Sequence, residues 1–339
     1  MNYIIFDLEW NQGPAQSIME EVLEIGAIKL NDDFKAIDRF TALVKPQVIP
    51  TLSQITGKLL HLTPEDLEQA LFFPAVMKQF LAFCTSDTPY MFCTWGVMDL
   101  TILQKNMAYY GMAPFSEGPM PFYDVQKLFS LYTKRPGARY TLETAVDSLH
   151  LKKKIPFHRA YQDSFYTARI LKVIHSESLL QYVSYDTFHP PKDRKHEVKV
   201  VFDTYAKYIS RCFANKPEAL SDHEISSTKC YVCRCNLKRK AGWFSANGHI
   251  YYALANCPIH GDIKYKLRAK KSSDSRVFVV KTSKFITATQ ADELRLRQEI
   301  VHSQRAVRLL RRKQKSLLSD TINYNKDTAR RSQDTCCDS

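Results

Sequence analysis

The sequence predicts an α/β domain over about residues 1–180, then a connecting segment (181–228), a small cysteine-rich module (229–285) and a basic helix with a polar tail (286–339). Three observations carry this reading. Short apolar runs of strand character come first and amphipathic helical runs later, with a final helix placed to pack back on the sheet. Four of the nine cysteines lie between Cys230 and Cys257. Charge is divided unevenly: residues 1–189 hold 17 Lys/Arg and 20 Asp/Glu, residues 190–339 hold 31 and 15.

Tyr3–Glu9 reads as a short apolar strand. Val22–Leu30 reads as a second, where Gly26 marks a bulge or a close backbone approach. Phe40–Val44 is a third, stopped by Lys45-Pro46. Thr63-Pro64-Glu65-Asp66 opens a helix: a cap, proline at the first position, then acids in the first turn. Pro74–Phe83 continues helically, and Tyr90–Thr94 is a fourth strand ended by Trp95-Gly96. Asp99–Tyr110 reads as a helix and Phe122–Asp124 as a short fifth strand, giving a mixed five-stranded sheet. Thr141–His150 places Leu142, Ala145, Val146 and Leu149 at helical spacing. Ala160–Ile174 is the closing helix, with Ala160, Ser164, Thr167, Ala168, Leu171 and Ile174 on its buried face. In the connecting segment, Val198–Phe213 is predicted helical.

With 45% hydrophobic and 12% aromatic residues, the chain of 339 can build a sizeable core. The longest apolar stretch, near Tyr90–Leu103, is interrupted by Asp99 and falls short of the roughly 18–20 residues that span a bilayer. No signal peptide is read at the N-terminus, so a cytoplasmic protein is expected. In a reducing compartment the clustered cysteines point to metal more than to disulfides. Cys84 and Cys93 read as buried structural residues, and Cys336 and Cys337 receive no assignment. The net +13 charge, concentrated in the second half, suggests chemistry in one half and polyanion binding in the other.

Asp7 and Glu9 are two apart on a strand, so both leave one face. Like charges at the end of an apolar strand are expensive, and a divalent cation is the usual remedy. Asp99 sits at a strand-to-helix junction, where a helix N-terminus favours negative charge. His158 and Asp163 open the last helix, with Asp163 beside its buried face and aimed toward the sheet.

Each element alone is modest; their order is specific. Asp7-x-Glu9, then Trp95-Gly-x-x-Asp99, then His158-x-x-x-x-Asp163 resemble the three motifs of the DEDDh exonucleases, the DnaQ-like branch of the RNase H-like fold. Glu24-Ile-Gly-Ala27, Val44-Lys-Pro46, Ile55-Thr-Gly57 followed by Thr63-Pro-Glu-Asp66, and Tyr140-Thr-Leu-Glu143 are similar to that family's connecting pattern. The resemblance covers about residues 1–178, closest in style to Eri-like and KapD-like members. Arg159 stands where the tyrosine branch would carry its Tyr, so the histidine branch fits. The resemblance implies a 3′–5′ exonuclease that releases nucleoside 5′-monophosphates from RNA or DNA 3′ ends. It further implies that Asp7 bridges two Mg²⁺ or Mn²⁺ ions, with Glu9 and Asp163 on the first, Asp99 supporting the second, and His158 as general base. Trp10 reads equally as a stacking surface for the terminal base or as a rim tryptophan. Two other readings stay open: a KapD-like regulatory protein-interaction module, and an enzyme clearing very short oligonucleotides.

Cys230-x-x-Cys233 and Cys257-Pro-Ile-His260 supply four ligands for one structural, tetrahedral zinc ion, with Cys235 a spare thiol. Asn247-Gly248 between them reads as a hairpin turn, and the whole as a zinc ribbon. Asp262–Arg268 alternates, putting Lys264, Lys266 and Arg268 on one face as a nucleic-acid platform. Ala291–Leu318 reads as a nucleic-acid helix, a partner helix or a solvated tail.

Overall fold

The computed structural model describes residues 1–13, 19–49, 52, 57, 63–85 and 88–334. Ile55 and Thr56 of the connecting pattern, and Cys336 and Cys337, lie outside the described residues. Two compact units are present, one over Met1–Val198 with Ser272–Ser275 and one over Lys199–Lys271 with Arg276–Ser339.

The first unit is built on a mixed sheet. β1 (Asn2–Asn11), β2 (Glu21–Leu30) and β3 (Ala36–Lys45) run antiparallel. β5 (Tyr90–Thr94) lies parallel to β1, and β6 (Met120–Asp124) parallel to β5. These are the five expected strands. β4 (Leu71–Phe72) and β7 (Ser184–Asp186) extend the two edges, giving the order β4-β3-β2-β1-β5-β6-β7. Two and three residues are too few to show a period in sequence.

Seven helices are described in this unit: α1 (Pro64–Glu68), α2 (Phe73–Cys84), α3 (Met98–Tyr109), α4 (Val125–Tyr132), α5 (Leu142–Ser148), α6 (Ala160–Ile174) and α7 (Glu177–Leu180). α1 begins with the capping box its sequence announces: Thr63 Oγ1 accepts the Asp66 N–H, and Asp66 Oδ2 accepts the Thr63 N–H. α4 was not legible beforehand; its cap is Asp124, which ends β6 and accepts the Lys127 N–H.

On one face of the sheet, Ile4, Phe6 and Leu8 of β1 pack with Val76, Met77 and Phe80 of α2 and Leu100 and Leu103 of α3. The opposite face is covered by α6, which runs over β1 and β2. Gly26 explains how close that helix comes. A Cβ on Gly26 would stand 2.0 Å from the Tyr161 nitrogen and 2.2 Å from the Ala160 carbonyl carbon. The glycine therefore marks backbone approach; the irregularity of pairing falls instead between Glu9 and Trp10. Glu21 secures the far end of β3 by accepting the N–H groups of Gln47, Val48 and Ile49 at 2.5–2.9 Å.

The second unit holds a six-stranded sheet, β10-β11-β12-β13-β9-β8. Its strands are β8 (Val198–Val201), β9 (Tyr205–Ile209), β10 (Arg239–Phe244), β11 (Ile250–Cys257), β12 (Gly261–Lys271) and β13 (Val277–Phe285). The helix expected at Val198–Phe213 is thus corrected to two strands. Its β-branched and aromatic residues favour a pleated surface, and β13 offers β9 an antiparallel partner from Tyr205↔Lys284 to Ile209↔Val280. Short α8 (Lys216–Ser221) and α9 (His223–Ser226) follow. The Asn247-Gly248 turn joins β10 to β11 as expected: Asn247 Oδ1 accepts the N–H of His249 and Ile250, and Gly248 has φ 73°. α10 (Ala288–Asp334) anchors Ala291, Leu294 and Val301 on Ala241, Phe244 and Leu254. No helix among the described residues is long and apolar enough to cross a membrane.

Gly26→Ala forces either the glycine strand or α6 to move. It is expected to cost at least the ~1–3 kcal/mol typical of an overpacked core. Equilibrium urea unfolding measures this, and an unchanged midpoint would show that α6 can retreat freely.

Candidate active site and zinc centre

Alternation on β1 sends Phe6 and Leu8 into the core and turns Asp7 and Glu9 toward α6. Asp163 lies in the first turn of α6 and comes down on the same spot, because Gly26 beneath the helix has no side chain. One carboxylate oxygen each of Asp7, Glu9 and Asp163 lies within 4.8 Å of the others. Two neighbours on β1 and a residue more than 150 positions later thus form one acidic pocket.

Asp99 borders this pocket outside the three-carboxylate group. β1 pairs with β5 only as far as Ile5, so the Leu8 N–H has no strand partner on that side. Asp99, in the first turn of α3, fills the role: its Oδ1 accepts the Leu8 N–H at 3.3 Å. This bond fixes Asp99 beside the strand residue that separates Asp7 from Glu9.

The electrostatics are those of crowded, desolvated acids. Burial, then the charges of Asp99 and Glu9, raise the Asp7 carboxyl well above its ordinary value. Glu9 is pushed up to about 8 by burial and by Asp163 and Glu24. Asp99 rises to about 7 and Asp163 to about 6, each chiefly through burial. Such a set is unstable as anions without cationic company. An all-carboxylate set of hard oxygen donors suits Mg²⁺ or Mn²⁺.

His158 stands at the exposed rim just before α6. Its backbone is left-handed, with φ 68°, a conformation that costs a non-glycine residue energy. Two contacts hold it there. The His158 N–H donates to Asp163 Oδ1 at 3.3 Å. The next residue, Arg159, clamps Glu24 with two hydrogen bonds, Nε at 2.7 Å and Nη2 at 3.2 Å. Glu24 is 2% exposed and lies directly across β2 from Glu9. The Arg159–Glu24 pair was not foreseen. Both residues fell inside quoted motifs, but a contact across 135 positions leaves no mark in spacing. Trp10 is partly buried against the main core cluster at the end of β1.

In the second unit, Cys230, Cys233, Cys257 and His260 bring one donor atom each within 4.8 Å of the others. Cys233 Sγ and Cys257 Sγ are 3.7 Å apart, and His260 Nδ1 is 3.6 Å from Cys230 Sγ and 3.5 Å from Cys257 Sγ. Zinc–sulfur and zinc–nitrogen bond lengths give tetrahedral edges of about 3.7 Å and about 3.5 Å. The four residues therefore fit a tetrahedral ion. Cys235 Sγ is only 3.1 Å from Cys233 Sγ, shorter than such an edge, so it sits as a hydrogen-bonding neighbour of Cys233 outside the tetrahedron. Lys264, Lys266 and Arg268 follow one another on a single face of β12.

An acid-lined pocket of this kind suits divalent cations that polarise a phosphate ester. A family model described as an exonuclease, RNase T, matches residues 4–171. The probable 3′-5′ exonuclease KapD of Bacillus subtilis is 22% identical over 181 residues, which are 51% of this chain and 84% of that protein. The 3′-5′ exoribonuclease 1 of Rattus norvegicus is 23% identical over 173 residues, 49% of this chain; the chain spans about half (50%) of its length. The solved nuclease domain of 3′hExo, a DEDDh family member bound to rAMP, is similar at 21% identity with a TM-score of 0.46, over 51% of this chain and 90% of that one. Over residues 4–171, about half of the chain, the first unit is thus similar to 3′–5′ exonucleases.

The raised carboxyls set a pH dependence. The folded chain keeps these groups protonated where the unfolded chain has already ionised them. The folded state thus binds more protons, and stability without magnesium falls as pH climbs from the ordinary carboxylate range to about 8. Magnesium should offset this loss, so its Tm gain is expected to be several degrees larger at about pH 8 than at about pH 5. Differential scanning calorimetry checks it; a gain independent of pH, or one retained in Asp163→Asn, contradicts the assignment.

Proposed function

We propose that the chain hydrolyses phosphodiester bonds at the 3′ end of RNA or DNA, one nucleotide at a time, releasing nucleoside 5′-monophosphates. The observation that carries the reading is the gathering of Asp7, Glu9 and Asp163 within 4.8 Å, with Asp99 hydrogen-bonded alongside and His158 at the rim. Asp7, Glu9 and Asp163 would hold a pair of Mg²⁺ or Mn²⁺ ions, with Asp99 in support. When bound, such ions supply Lewis acidity to the scissile phosphate and a lowered pKa to water. The chain's own residues do the rest. The carboxylates offset the ionic charge and fix where the phosphate sits. Exposed at the rim, the His158 imidazole is placed to accept the proton of the attacking water. The Arg159–Glu24 clamp holds that histidine in its left-handed turn, ready for the substrate.

For the second unit, the four Cys and His donors support one structural zinc ion with no open position. Their thiols suit a reducing compartment, the cytoplasm.

The catalytic reading is tested with end-labelled RNA and DNA of matched sequence. A 5′ label should persist on a ladder of shortening products. Its release as mononucleotide before any ladder forms would reverse the polarity. Asp7→Ala should abolish turnover without unfolding; a folded, active variant refutes the site and favours a protein-interaction role. His158→Ala should slow turnover about 10²–10⁴-fold while keeping the magnesium-dependent Tm gain. For zinc, Cys257→Ser should lower metal content measured by atomic emission, whereas unchanged stoichiometry removes Cys257 from the ligand set.

A further inference from the structure

The sheet of the second unit buries one face on Cys230, Ala253, Ile263 and Tyr265. Part of its other face is covered by α10, fixed there by Leu294 and Val301 and by two tethers. Gln298 Nε2 donates to the Gly242 carbonyl at 3.0 Å, and an Arg305 guanidinium N–H donates to the Ser245 carbonyl at 2.5 Å. Beside this packing runs a cleft of about 340 Å³. Its floor carries Lys264 and Lys266 of β12 and Lys284 of β13; its wall carries Arg297 and Glu293 of α10.

The floor is electrostatically unfavourable as it stands. Lys264 and Lys284 are direct cross-strand partners in the antiparallel ladder. Like charges set opposite each other in this way destabilise a sheet. Lys266 follows two residues on, on the same face. Arg297 and Lys264 both approach the ring of Tyr252, at 4.7 and 5.5 Å from its centre. Four cations thus face a lining with one carboxylate, Glu293. Burial, then Arg297 and Lys284, lower the Lys264 pKa; burial, then Arg268 and Lys264, lower that of Lys266. A surface placed for solubility would leave these ammonium groups apart and in water. Here they are drawn together and partly desolvated; the Tyr252 ring and Glu293 offset part of that cost, and an anionic occupant would offset the rest.

We infer that this cleft binds the phosphate backbone of a single-stranded nucleic acid. The inference rests on the reading that the enzyme's substrate is nucleic acid, and gives that substrate a second grip. Same-face residues on a strand recur about every 6.8 Å, so Lys264 and Lys266 in the cleft, continued by exposed Arg268 beyond its lining, form a row of charge rather than a point. A row suits a chain of phosphates better than one small anion. The α10 wall narrows the floor to a groove that follows a single backbone, the usual device of single-strand binders. To the Lys264, Lys266 and Arg268 platform expected from alternation, Lys284 and Arg297 would be added, with α10 bounding one side.

The test uses the full chain carrying Asp7→Asn, so that bound strands survive. Fluorescence anisotropy with labelled single-stranded RNA and DNA gives Kd against salt. Combining Lys266→Gln with Lys284→Gln should weaken binding about tenfold or more and flatten the log–log salt slope by about 1.4, for two lost phosphate contacts. Lys266→Arg with Lys284→Arg should restore both. Unchanged affinity and slope in the glutamine variant, or equal loss in the arginine variant, overturns the inference; Lys284→Gln alone serves if the double variant misfolds. Polyglutamate competing as well as an oligonucleotide of equal charge overturns nucleic acid as the occupant. Degradation is assayed separately with Asp7 restored. A chain that degrades RNA but shows no cleft-dependent affinity sinks this inference alone. One that binds through the cleft but degrades nothing sinks the catalytic reading alone.

Discussion

Repulsion among desolvated carboxylates is the constraint on which the first unit depends. Burial raises the proton affinity of Asp7, Glu9, Asp99 and Asp163, the charges of neighbouring acids raise Asp7 and Glu9 further, and Glu24 adds a further buried acid. Gathered acids of this kind weaken a fold unless their charge is met. Glu24 is met within the chain by Arg159. Among the described residues none of the others shares an ion pair of this kind, although Arg159 also lowers Glu9, and their chemistry suits hard divalent cations.

Holding the acids together is a matter of backbone geometry. Gly26 lets α6 descend until Asp163 reaches the acids of β1, at the loss of any side chain at that point in β2. The early end of β5 pairing frees the Leu8 N–H, and Asp99 takes it, so a gap in the ladder becomes the means of fixing a carboxylate. His158 is kept in a strained turn by bonds on both sides of its Cα, one to Asp163 and one through Arg159 to Glu24. Strain held this way pre-organises a group at modest cost, since the surrounding contacts over-determine it.

The second unit solves the converse problem. Its sheet collects cations on one face, and its thiols converge on the other side of the ribbon. A zinc ion on these four residues would staple the Cys230–Cys233 loop to the β11–β12 turn. On the same sheet α10 rests Leu294 and Val301 against Ala241, Phe244 and Leu254.

Much of this was legible in the chain itself. Apolar runs located the five central strands, the cap at Thr63 announced α1, and paired spacings of Cys, His and acids named the candidate ligands. Those signals are local, carried by neighbours two to five residues apart, so sequence alone determines them. The misreading at Val198–Phe213 came from a segment whose local pattern is weak and whose strand form is decided by the edge of β13. Tertiary structure alone decided that Gly26 serves helix approach, that Arg159 meets Glu24, that Asp99 caps Leu8, and that Lys284 and Arg297 join Lys264. Each of these joins distant positions, and the energy that selects such a contact exists only once the chain has closed the loop between them.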